Sequence, residues 1–156
     1  MKPTVYLMLG LTGSGKSTFS KKLTRELGIE RFAFDSEYER LGGDLSDHRW
    51  NKDVEEKTFN VMKHWMTQQL KENRSIILDY CPWVRSDRDS FRTLIESLGG
   101  QPHIYYFDVA PSELWSRLSK RNKTDKESQY VTKDMLNDFI KRFEPPSSEE
   151  FELVKE

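Results

Sequence analysis

The chain of 156 residues holds one cysteine, Cys81. A single thiol excludes an internal disulfide and any cysteine-rich zinc site. Its three histidines, His48, His64 and His103, are scattered without ligand spacing, so no histidine-based zinc site is expected. No apolar run approaches the roughly 20 residues of a membrane span. Neither sign of charge is in excess: 25 Lys+Arg face 26 Asp+Glu, a net charge of -1, and the broad basic field of a nonspecific nucleic-acid binder is missing. Residues 1–4 open directly into a strand-like run with no signal-peptide pattern, which predicts a cytoplasmic protein with no membrane partner.

What is present is large apolar surface in a polar background. Nine Phe, six Tyr and four Trp stand among 33% charged residues, and the mean hydropathy is -0.80. That aromatic content argues against disorder. A chain of this size buries about 70% of its unfolded surface without staples, and residues 1–156 are expected to form one domain.

Short apolar runs alternate with helical spacing. Residues 5–9 read as a buried strand ending at Gly10, and Phe19, Leu23 and Leu27 then recur four apart before a stop at Gly28. A second strand is predicted over residues 32–35, a loop over 42–47, and a long helix over 50–71 whose Trp50, Met62, Trp65 and Met66 are expected in the core. A third strand covers 75–79. Ser86 is predicted to cap a helix stopped by Gly99 and Gly100, and a fourth strand covers 103–109. Pro111 opens a helix reaching Arg121, Thr132 caps a last helix ended by Pro145 and Pro146, and residues 151–154 form a final short strand. The alternation predicts an α/β fold, a parallel five-stranded sheet with helices on both faces.

Gly10, Leu11, Thr12, Gly13, Ser14, Gly15, Lys16 and Ser17 fit G-x-x-x-x-G-K-[ST], between a strand and a helix. Glycines let the backbone curl around an anion so that several N–H groups point inward, and the following helix adds the positive end of its dipole. Lys16 then reaches the β- and γ-phosphates and the Ser17 hydroxyl ligates Mg²⁺. The predicted ATP contacts are Gly10, Thr12, Gly13, Ser14, Gly15, Lys16, Ser17 and Thr18.

Strand carboxyl ends face the ligand crevice in an open parallel sheet, so Asp35 and Asp79 are expected beside this loop. Asp35 is placed to take a proton from an attacking hydroxyl, or alternatively caps a turn. Asp79 follows three apolar residues, as a Walker B aspartate does, and serves either Mg²⁺ or the acceptor. Residues 117–126 carry five bases against one acid. Arg117 and Arg121, four apart, share a helix face and are expected to act on the phosphates as a mobile basic lid. Asn122, Lys123, Thr124 and Asp125 match the guanine-reading string N-K-x-D, but follow a helix rather than ending a strand. Arg85, Arg88 and Arg92 follow Asp79, and either bind an anionic acceptor or form a solvated helix face. Cys81 is read as a packed thiol near the pocket.

In these motifs the chain resembles small P-loop kinases of the bacterial predicted-kinase group with an AAA-type ATP-binding domain. That group is related to polynucleotide kinase, zeta-toxin and chloramphenicol phosphotransferase. The likeness runs from the glycine loop with Thr18 through Asp35, the turn at Gly43 and Asp44, Asp79, and residues 117–122 to the tail at 143–151. It implies a P-loop NTPase three-layer sandwich, ATP and Mg²⁺ as cofactors, Asp35 as activator of the acceptor hydroxyl, and Arg121 or Arg117 as the lid arginine. Tyr38 stands where the group often has an acceptor-binding arginine, and Arg40 lies nearby in another register; Tyr80 and Cys81 also depart from its pattern. The expected activity is transfer of the γ-phosphate from ATP to a hydroxyl of an unidentified small molecule. A polynucleotide or nucleotide-sugar kinase, or a non-catalytic ATP-binding regulatory module, are the alternatives.

Overall fold

A computed structural model describes residues 1–47, 49–125 and 129–154; His48, and Lys126 at the end of the basic run, fall outside them. Five strands, β1 (Thr4–Leu9), β2 (Arg31–Ala33), β3 (Ile76–Asp79), β4 (Gln101–Tyr106) and β5 (Phe151–Leu153), form one parallel sheet in the order β2-β3-β1-β4-β5. Parallel neighbours need crossovers, and helices supply most of them: α1 (Lys16–Leu27), α2 (Phe34–Arg40), α3 (Lys52–Lys71), α4 (Arg85–Ser97), α5 (Pro111–Thr124) and α6 (Lys133–Arg142).

The period of two in a strand divides β1 between two cores. Val5, Leu7 and Leu9 face α3 and α4, packing with Met62, Met66, Phe91 and Ile95. Met8 points the other way and packs with Ile77, Phe107, and with Phe19 and Leu23 of α1. The two faces therefore carry helices as expected. Trp65 packs against the first core as the helical spacing predicts, Trp50 packs there too but from outside the helix, and Cys81 is buried. Among the described residues no helix is long and apolar enough to cross a membrane.

Several boundaries differ from the sequence reading: the fourth strand spans Gln101–Tyr106 rather than 103–109, and the helix opened by Pro111 runs on to Thr124. The second strand stops at Ala33, and Phe34–Arg40 is a helix that the sequence pattern did not reveal. The long helix begins at Lys52, because the Asn51 side chain accepts hydrogen bonds from the amides of Asp53 and Val54; Trp50 sits outside it at φ 32°. The helix assigned to a Ser86 cap starts instead at Arg85, whose amide donates to Glu144 Oε2 at 2.8 Å.

α5 and α6 build their own cluster from Leu114, Leu118, Val131, Met135, Leu136 and Phe139. Asn122 ties the segment between them: its amide donates to the Val131 carbonyl at 2.7 Å and its Oδ1 accepts from the Val131 amide at 3.1 Å. Both functions of the side chain are thereby engaged in the fold, so the N-K-x-D match is a structural brace on a helix. Asn122→Ala should cost about 1–3 kcal/mol by orphaning the Val131 backbone groups. Thermal denaturation checks it, with a fall in Tm of several degrees as the expected reading.

Two of the arginines after β3, Arg85 and Arg88, also turn out to be structural. Arg88 is fully buried, donating to Glu150 Oε1 at 3.2 Å and to the Trp83 carbonyl. Arg85 donates to Asp89, Ser147 and Glu150. Their charge holds the tail against the start of α4, Arg88 from within the fold and Arg85 from a position still open to solvent, and neither reaches into the crevice.

Candidate active site

A cleft of about 1740 Å³ opens at the carboxyl ends of the strands, with Ala33, Asp79 and Phe107 on its floor and α5 and α6 at its rim. The turn from β1 into α1 runs along it. Gly15 takes φ 97° as the residue before α1, and Gly13 takes φ 84°, left-handed values that favour glycine. A Cβ on Gly13 would also come within 3.0 Å of Leu118 in α5. The glycine spacing thus bends the loop and lets α5 approach it closely. Thr12, Gly13, Ser14, Gly15, Lys16, Ser17 and Thr18 all line the cleft. Gly10 lies behind it, and its carbonyl accepts from Lys16 Nζ at 2.5 Å. Burial holds the Lys16 ammonium below the ordinary lysine range, opposed by the charges of Asp79 and Asp35.

Asp79 closes β3 against α1. Its Oδ2 accepts from Ser17 Oγ at 2.8 Å, from Ser20 Oγ at 3.2 Å and from Arg31 Nη2 at 2.8 Å. Arg31 belongs to the neighbouring β2, where Ala33 pairs with Asp79, and its Nε donates to Ser20 Oγ at 2.7 Å. Hydroxyl and carboxylate oxygens side by side are hard donors that suit Mg²⁺. Among the described residues no group of three or more His, Cys, Asp or Glu could hold a metal without further ligands, and Mg²⁺ commonly completes its shell with substrate phosphates and water.

Asp35 lies in the first turn of α2, not at a strand end, and lines the same cleft. Solvent in the cleft reaches this residue, but protein surrounds it on the remaining sides. Burial pushes its carboxyl above the ordinary range, Lys16 pulls it back, and the more weakly felt charges of Asp79 and Arg121 push it up and pull it down respectively. These couplings place Asp35 in the electrostatic reach of the loop lysine, the strand aspartate and the α5 arginine together.

Arg117 and Arg121 both face the cleft. Arg117 Nε donates to Glu113 at 3.0 Å and its Nη1 stands 3.5 Å from the Gly13 carbonyl. Arg121 Nη2 donates to the Gln129 carbonyl at 3.0 Å. Its Nε, with Gln129 Nε2, is buried without a hydrogen-bond partner among the described residues. Burial lowers the Arg121 pKa from its ordinary value, with Asp125 and Asp35 opposing.

Three expected acceptor contacts are not brought here. Arg40 pairs with Glu37 on the exposed side of α2, and Arg85 and Arg88 serve the tail; none of them lines the cleft. Arg40→Ala should therefore leave both turnover and stability nearly unchanged, as steady-state kinetics and denaturant titration would show. The sequence reading in turn missed Arg31, Trp83 and Gln129. Trp83 lines the cleft beside Phe139, with ring centroids 5.6 Å apart, and carries the Arg142 guanidinium 5.6 Å from its ring centre. A smaller pocket of about 390 Å³ adjoins the glycine loop, lined by Phe107, Val109, Arg117 and Val154 among others.

The model of a family described as an AAA domain (AAA_33) matches residues 5–146. Shikimate kinase 1 of Hamiltonella defensa subsp. Acyrthosiphon pisum (strain 5AT) is 36% identical over 72 residues, covering 46% of this chain and 40% of that protein. The chain thus matches less than half the length of this curated relative. Among solved structures, the Pnkp1/Rnl/Hen1 RNA repair complex superposes with a TM-score of 0.77 at 20% identity, covering 90% of this chain and 44% of that one. A gluconokinase from Sinorhizobium meliloti 1021 gives 0.67 at 15% identity, covering 97% and 82%. At such identities the superpositions establish the fold, a P-loop kinase fold.

Proposed function

This chain belongs to the AAA domain family, and we propose that it is an ATP- and Mg²⁺-dependent phosphotransferase acting on a hydroxyl of a small molecule. Lys16, the Ser17–Asp79 pair, Asp35 and the two α5 arginines meet in one cleft, and that meeting carries the proposal. In it, residues 1–156 act as one kinase-like domain, and ATP as donor puts the reaction in the cytoplasm. The loop amides and Lys16 hold the phosphates. Adenine extends toward the smaller pocket beside Arg117. Ser17 and Asp79 are the residues that would hold Mg²⁺, which when bound neutralises charge on the β- and γ-oxygens.

The acceptor hydroxyl sits next to Asp35. Its oxygen bonds to the γ-phosphorus while the bond from that phosphorus to the bridging oxygen breaks. The hydroxyl proton passes to Asp35, and ADP leaves with the electron pair. A carboxyl raised by burial is a stronger base than an ordinary exposed carboxylate and so suits this task better. Arg117 and Arg121 supply positive charge over the transferring group from the rim, and closure of α5 and α6 excludes water.

The identified curated relatives are shikimate kinases, and one neighbour is a gluconokinase. Shikimate and gluconate are therefore the first acceptors to test, beside sugars, nucleosides and a 5′-hydroxyl oligonucleotide. Acceptor-dependent release of ADP, measured by a coupled assay, is the expected result with a small molecule. Release only with the oligonucleotide would replace the acceptor class, and nucleotide binding without release would favour a regulatory module.

A further inference from the structure

Arg31 is an unexpected neighbour for a carboxylate meant to face a divalent cation. It comes from β2, paired in parallel with β3 so that Arg31 is opposite Ile77 and Ala33 opposite Asp79. The register puts its guanidinium across the mouth of β3, where one arm meets Asp79 Oδ2 at 2.8 Å and another meets Ser20 Oγ at 2.7 Å. Side-chain exposure is 19% for Arg31 and 8% for Asp79, so bulk solvent screens the pair weakly. Among the described residues all the donors to Asp79 converge on Oδ2. The other carboxylate oxygen is the one left to meet a cation or its water.

Charge follows from this geometry. Without nucleotide, the carboxylates of Asp79 and Asp35 face the positive charges of Arg31, in contact with Asp79, and of Lys16 and Arg121 nearby. A bare divalent cation meets no net attraction at that point. Nucleotide phosphates change the balance, because they bring several negative charges to the loop beside Ser17.

We propose that Arg31 is a charge gate: it neutralises Asp79 so that the divalent cation enters only together with the nucleotide, while its fork holds the carboxylate in place. It is a positioning residue, acting through Asp79, and the proposal rests on the reading of this cleft as a nucleotide site. The consequence is order, because metal without nucleotide stays out.

Binding of Mn²⁺ alone, followed by the electron paramagnetic resonance of free Mn²⁺, tests it without catalysis. Wild-type protein should show no binding at millimolar Mn²⁺ without ATP. Arg31→Met removes the charge and keeps the length, and it should bind Mn²⁺ alone at least about tenfold more tightly. Arg31→Lys keeps the charge without the fork and should exclude Mn²⁺ as wild type does. Adding Asp79→Asn to Arg31→Met should abolish the gained site. The proposal fails if wild type binds Mn²⁺ alone, if Arg31→Met gains no affinity, or if Arg31→Lys gains as much as Arg31→Met. Should Arg31→Met not fold, as circular dichroism would show, Arg31→Gln takes its place with the same expectation. Failure of the nucleotide reading shows separately, as absence of ATP binding by wild-type protein in EDTA.

Discussion

Asp35→Asn should lower kcat by about 10²–10⁴-fold, the range for loss of a general base, and leave ATP affinity nearly unchanged. The substitution keeps size and hydrogen bonding while removing the charge and the base. A second, opposite effect accompanies it. Burial raises the Asp35 carboxyl in the folded protein, so the folded state favours the protonated form relative to the unfolded chain. Stability is then highest where Asp35 is protonated and falls as pH rises through the ordinary carboxylate value of about 4. Asparagine removes that penalty, so Asp35→Asn should melt above wild type at neutral pH, the difference closing in acid. Wild-type turnover should rise with pH along a limb above the ordinary carboxylate range. Steady-state kinetics and melting curves against pH check both halves. Loss of Mg²⁺–ATP affinity in the variant would instead assign Asp35 to the metal side and leave Asp79 as the candidate base.

Lys16→Ala should reduce turnover by on the order of 10²–10³-fold, as expected for removing one charge-stabilising donor at the transferring group. It should also abolish most of the stabilisation that Mg²⁺–ATP gives. At a ligand concentration one hundred times Kd a bound ligand adds about 2.7 kcal/mol, a shift readily seen as a rise in Tm for wild type and expected to shrink in the variant. The Lys16 ammonium donates to the Gly10 carbonyl at 2.5 Å. ATP must draw it from that oxygen to the phosphates, so the lysine's contribution appears only when nucleotide is present. Unchanged Mg²⁺–ATP affinity in Lys16→Ala would remove the glycine loop from the site.

The parts of this site legible in the sequence are those whose chemistry is local. A strand, two left-handed glycines, a lysine and a helix start lie within a dozen consecutive residues, and the backbone geometry they require leaves a pattern. Asp79 was legible for a related reason, since a buried strand ending in a carboxylate is written in consecutive residues. The acceptor side was not. β2 spans only Arg31–Ala33, too short for its period to show, so Asp35 read as a strand end rather than the first turn of α2. Arg88 looked like part of a surface charge run because its partner Glu150 lies 62 residues on. Arg31 carried no motif at all, because its meaning depends on a parallel register that sets it beside Asp79, 48 residues away. Trp83 carried no motif either, because Phe139 and Arg142, which share its corner of the cleft, come from the distant α6.

Transfer of labelled phosphate from [γ-³²P]ATP, with wild type and Asp35→Asn compared on the same small-molecule acceptors, decides whether this cleft is a phosphotransferase site with Asp35 as its base. Label is expected covalently on a small-molecule hydroxyl, dependent on Mg²⁺ and nearly lost in Asp35→Asn. Label released only as inorganic phosphate, or an acceptor labelled equally well by Asp35→Asn, would contradict that assignment.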